Sequence, residues 1–224
     1  MINIISPILA VLFGVSIVLL YSKFNPLNLK LFLVFSGAFL LSSTIFELLP
    51  QVYSHLNTKK TGLFIMGGIL LQIILEFYSK GAEHGHFHKQ DSKGLFPWLL
   101  FLGLGMHAFF EGFPLKDHHN IVIGVVIHKI PIAILICSYL LKSKLPKSQN
   151  VIFLIVFTLM TPLGSLVAEF LSLNTNLMHS INAIVIGMFF HISTIILFES
   201  SEGHHFNLNK ILMIVSAVAI AYFL

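Results

Sequence analysis

The sequence predicts an all-α integral membrane protein, with eight transmembrane helices in a single domain over residues 1–224. Three observations predict it. Hydrophobic residues make up 56% of the chain and charged ones 10%, against about 25% charged in a soluble domain. Apolar runs long enough to cross roughly 30 Å of hydrocarbon recur at 5–21, 31–50, 62–79, 96–113, 121–141, 151–172, 178–198 and 210–224. Polar connectors separate these runs and carry nearly all the lysines.

The first run opens the chain as MINIISPILAVLFGVSIVLL, with no charged leader and no small-residue cleavage site. It is therefore expected to stay as a helix and not to be removed as a signal peptide. The second lies between SKFNPLNLK and QVYSHLNTKKT, and the third ends at the histidine-bearing connector of residues 80–95, KGAEHGHFHKQDSKG and one residue more. The short PLKDHHN turn makes the fourth and fifth helices antiparallel neighbours. KSKLPKSQN, SLNTN and SSEGHHFNLN separate the last three runs. The first and last runs are short and are expected to tilt little.

The thirteen basic residues are all lysines; with nine acids they give a net charge of +4. They are scattered at helix ends and form no stripe, which argues against a nucleic-acid partner. Connectors one, three, five and seven hold Lys23, Lys30, Lys80, Lys89, Lys93, Lys142, Lys144, Lys147 and Lys210, whereas the others hold Lys59, Lys60 and Lys116. The positive-inside rule then places both termini outside and the 80–95 loop in the cytoplasm. The one cysteine, Cys137, excludes an intramolecular disulfide. An internal echo adds to the pattern: GAFLLSSTI at 37–45 and GMFFHISTI at 187–195 share five of nine positions. Their helices are an odd number of crossings apart, so they run in opposite directions, as in transporters built on inverted repeats.

The chemistry concentrates in HAFFEG (107–112) and IHKIP (127–131). His107 and Glu111 are four residues apart and share one helix face. His128 sits at a similar depth in the next helix, near 10 Å below the outer surface at about 1.5 Å per residue. Polar groups in lipid face inward, so the two imidazoles and the carboxylate are expected to meet. That donor set suits Zn²⁺ best and Fe²⁺ or Mn²⁺ acceptably. Three ligands leave one position for water. Lys129 is too deep to snorkel to either surface, and Glu111 is its expected partner, the ammonium standing in for a second cation.

These motifs, taken in order, resemble the ZIP (Zrt-, Irt-like) family of zinc and iron transporters. HAFFEG is similar to the family's HxxxEG, HKIP to its fifth-helix region, and FSGAFLLSSTIFELLP to its second helix. MTPLG at 160–164 is similar to the branch of animal plasma-membrane zinc importers. The resemblance implies a 3+2+3 arrangement, with helices 1–3 and 6–8 as an inverted repeat around helices 4 and 5. It implies import of divalent metal towards the cytoplasm, with His107, Glu111 and His128 as ligands and no prosthetic group. The sequence departs from the pattern where Ile132 and Ile196 replace acids, and where Ala108, Lys129 and Thr161 fill second-site positions. A single-metal site is therefore expected.

Other polar groups extend the expectation. His118 and His119 beside Asp117 would collect ions at the outer mouth, with His179 lining the path. His191 and Thr161 are further pathway candidates, and Glu47 is a candidate for gating or exit. Glu83, His84, His86 and His88 would capture released metal, with Glu202, His204 and His205 also on the inner side. Glu76 and Glu169 are expected to be solvated anchors at helix ends. Pro131 and Pro162 free carbonyls one turn back, at Ile127 and Thr158. The twenty-two phenylalanines are read as lipid-facing surface and core packing. The expected partners are divalent metal ions and the bilayer, with a homodimer possible, in a plasma membrane or a bacterial cytoplasmic membrane. Two other functions fit parts of the pattern: a non-transporting metal sensor, from the missing acids, and a membrane metalloenzyme, from the paired histidines. DHHN and GHHF fall on opposite sides of the predicted bilayer and HExxH is absent, which disfavours the enzyme.

Overall fold

In lipid a chain must satisfy its backbone hydrogen bonds within itself, which leaves helices as the solution for apolar runs of this length. The computed structural model describes residues 2–20, 26–79, 96–116, 118–171, 174–199 and 208–224, and among them every regular element is helical. The elements are α1 (Ile2–Leu20), α2 (Pro26–Ser43), a π-helical turn (Thr44–Leu48), α3 (Leu49–His55) and α4 (Thr58–Ser79). They continue with α5 (Trp98–Glu111), a 3₁₀ turn (Phe113–Lys116), α6 (His119–Lys142), α7 (Lys147–Leu171), α8 (Thr175–Glu199) and α9 (Leu208–Phe223). Among the described residues seven stretches are long and apolar enough to cross a membrane, and α9 is a shorter apolar helix. The expected membrane fold is therefore present.

The second span differs from expectation. It continues to His55 instead of stopping near residue 50. Pro50 has no N–H to return to Phe46, so the ladder slips one residue and Leu49 N–H donates to the Thr44 carbonyl. The helix then resumes as α3. The expected connector QVYSHLNTKKT shrinks to a break at Leu56 and Asn57, because Asn57 Oδ1 accepts from the Lys59 amide and caps α4 at once.

Four helix pairs pack most extensively: α4 along α8, α1 along α6, α2 along α9 and α5 along α7. In membranes small residues let backbones approach, and two of these pairs meet glycine to glycine. A Cβ on Gly68 would lie 1.9 Å from the Ile184 carbonyl oxygen, and one on Gly187 2.0 Å from that of Ile65. Between α5 and α7, a Cβ on Gly164 would lie 1.9 Å from the Phe109 oxygen, and one on Gly112 2.2 Å from that of Thr161. The two echo segments play different packing roles: Gly37 faces Ile196 of α8, whereas Gly187 faces α4. Leu63, Leu70, Phe77, Phe170, Phe198 and Phe223 point outward as lipid-facing surface.

Candidate metal centre

Helix α5 ends at Glu111, and α6 antiparallel to it starts at His119. Spacing by one turn puts His107 and Glu111 on the buried side of α5, and His128 and Lys129 fall on the buried side of α6. The result is a cluster in which one ligand atom each from His107, Glu111 and His128 lies within 4.8 Å of the others. All three residues are at most 3% exposed. The imidazole rings stand nearly perpendicular, with centroids 6.4 Å apart.

The carboxylate is divided between two tasks. Glu111 Oε2 accepts from Lys129 Nζ at 2.8 Å and lies 3.4 Å from Thr161 Oγ1. Glu111 Oε1, 4.0 Å from His107 Nε2, is buried and accepts no hydrogen bond among the described residues. Such an oxygen is costly unless something later occupies it. The expected Lys129–Glu111 pairing is thus present. Phe157 completes the surroundings, its ring centroid 4.8 Å from the ammonium. Thr161 has a backbone task as well. The Gly112 amide turns to Phe109 at 3.1 Å, so the Ala108 carbonyl lacks its usual donor, and Thr161 Oγ1 donates to it at 2.7 Å.

The acid positions of the resembled pattern are packed as hydrocarbon. Ile132 and Ile196 are buried in one apolar cluster with Leu104, Ala108, Phe153 and Phe157. Pro131 and Pro162 lie inside α6 and α7 and are buried.

The remaining histidines and acids fall into separate groups. Glu47, His118, His119 and Asn120 line one open cavity, and Asn120 Nδ2 donates to Glu47 Oε1. Glu47 is therefore a neighbour of His118 and His119. His179 stacks on His55 of α3, with centroids 4.2 Å apart. His191 Nε2 lies 2.5 Å from Glu76 Oε2, with both side chains partly buried. This corrects the reading of Glu76 as a solvated anchor: rotation of α4 and α8 about their glycine contact turns both groups inward. Glu169 is exposed. Glu83, His84, His86, His88, Asp117, Glu202, His204 and His205 lie outside the described residues.

Sequence reasoning missed Asn120, His55 and Phe157. Asn120 adjoins the histidine pair and was within reach. Phe157 lies one turn before Thr161 on α7, a spacing that signals a shared face, but nothing distinguishes it from the other phenylalanines.

A bundle of membrane-length helices that gathers two imidazoles and a carboxylate at one buried point has the build of a divalent-metal transporter. The chain belongs to the ZIP zinc transporter family, whose model matches residues 81–224. The match takes in the central cluster and α5 to α9. The second-helix resemblance lies before it, and the match is to the family and names no branch. No curated individual protein matches the chain.

Proposed function

We propose that the protein imports divalent metal towards the cytoplasm, with zinc as the preferred substrate and iron or manganese as alternatives. His107, Glu111 and His128 hold the ion, and Lys129 takes the place of a second cation. The observation that carries this reading is the split carboxylate, with Oε2 paired to Lys129 and Oε1 left facing the imidazoles. Two nitrogens and one oxygen with an open position suit zinc, and an incomplete shell favours release.

Transport proceeds by alternating access of an inverted-repeat, 3+2+3 bundle. The packing supports this. Exchanging spans 1 with 6, 2 with 7, 3 with 8 and 4 with 5 turns the α4–α8 contact into α2–α9, and α1–α6 into α5–α7. The site lies wholly among α5, α6 and α7. The lysine distribution supports both termini outside and metal entry past Glu47, His118 and His119, with His179 and His191 as further pathway candidates.

Isotope uptake into proteoliposomes tests the proposal. Wild-type protein is expected to carry zinc, and His107→Ala to lose at least about tenfold of that flux. Equal flux in the two overturns it. Binding without flux would indicate a sensor, and product turnover an enzyme. Lys129→Ala leaves a buried carboxylate without its cation, and is expected to shift the half-saturating zinc concentration by about tenfold or more; an unchanged saturation curve would reject the charge-partner role. Imidazoles must be neutral to ligate and binding releases protons, so zinc uptake is expected to fall on acidification. A steady rise in uptake on acidification contradicts that.

A further inference from the structure

We propose that Lys129, Phe157 and Thr161 lock Glu111 as a one-oxygen ligand, and that this lock makes the site prefer zinc over larger, oxygen-seeking cations such as Mn²⁺. The inference rests on the reading of His107, Glu111 and His128 as the ion site. A carboxylate can offer a metal one oxygen or both. Calcium takes both from some carboxylates, and manganese favours oxygen-rich shells, whereas zinc is satisfied by four donors in which imidazole predominates. Whether Glu111 can swing Oε2 into the site therefore bears directly on which ion fits.

Three contacts oppose that swing. Lys129 Nζ holds Oε2 at 2.8 Å. The Phe157 ring covers the same ammonium at 4.8 Å, an attraction that strengthens when water is excluded, and here Lys129 and Phe157 are each 2% exposed. Thr161 Oγ1 stands 3.4 Å from Oε2 and is itself anchored to the Ala108 carbonyl at 2.7 Å. The anchor matters because that carbonyl belongs to the last turn of the helix that carries Glu111. With its one proton given to Ala108, the hydroxyl is held in place against the last turn of α5 and acts as a fixed neighbour that limits the space beside Oε2. Phe157 and Thr161 are positioning residues: neither needs to touch the ion.

The test compares zinc and manganese uptake by the same protein preparation, so that partial misfolding lowers both and leaves their ratio unchanged. Phe157→Leu combined with Thr161→Val removes the ring face and the hydroxyl at similar volume. The zinc-to-manganese ratio is expected to fall about tenfold, while Phe157→Tyr with Thr161→Ser keeps it within about twofold. An unchanged ratio in the first pair overturns the lock, as does loss of both ions in equal proportion. His107→Ala separates the two levels of inference. If it abolishes uptake while the ratio in Phe157→Leu/Thr161→Val stays fixed, the lock alone fails. If it leaves both ions transported, the site reading fails as well.

Discussion

Glu111→Gln is expected to reduce zinc uptake about 100-fold or more, in protein that still elutes as a folded species in detergent. An amide keeps the shape of the side chain but removes the anionic oxygen that faces the imidazoles, which leaves two neutral nitrogens to hold the ion. Disturbing groups behind a ligand already costs 10–100-fold in affinity as a rule, so losing the ligand itself lies at or beyond that range. The variant also strands the Lys129 ammonium, 2% exposed, without its anion, and uncompensated buried charges cost roughly 3–5 kcal/mol. A second variant separates stability from chemistry. Glu111→Gln combined with Lys129→Met removes both charges, restores stability towards wild type, and still fails to carry zinc. Uptake by either variant within about threefold of wild type would refute Glu111 as a ligand, because no effect of the size expected for ligand loss would remain.

The second large effect concerns packing. Gly67 and Gly68 are adjacent in α4, yet a Cβ on Gly67 meets nothing within 4 Å, whereas one on Gly68 would lie 1.9 Å from the Ile184 oxygen and 2.7 Å from its carbonyl carbon. The obstacle is backbone of α8, which has no rotamer to yield. Gly68→Ala is expected to destabilise the bundle by about 3 kcal/mol, the upper part of the range for overpacked interiors. Gly67→Ala is expected to be neutral or to gain up to about 1 kcal/mol from helix propensity. Thermal unfolding of the two variants in one detergent checks this, and equal responses would contradict the close crossing of α4 and α8.

Much of this arrangement was legible in the sequence because membranes impose few solutions. Run length located the spans, the four-residue spacing put His107 and Glu111 on one face, and the short turn after Pro114 brought His128 alongside. Local chemistry already hid some features. The slip at Pro50 needs the balance between a lost hydrogen bond and a π turn, which composition does not reveal. Other features depend on helix rotation between distant segments. Glu76 and His191 are 115 residues apart, and only the register of α4 against α8 turns them together. The cavity of Glu47, His118 and His119 likewise needs the π-helical turn set against the start of α6. Phe157 was invisible for another reason: in a chain this rich in phenylalanine, an aromatic ring over an ammonium looks like any other packing residue.

The glycine contact between Gly112 and Gly164 sits immediately beyond Glu111, where α5 ends. With backbone pressed on backbone there and Thr161 tied across to Ala108, these two helices have no slack to slide past one another. Glu111 at the end of α5 and Thr161 on α7 therefore keep a fixed spacing, whereas His128 and Lys129 approach the same point from a helix that this clasp does not hold.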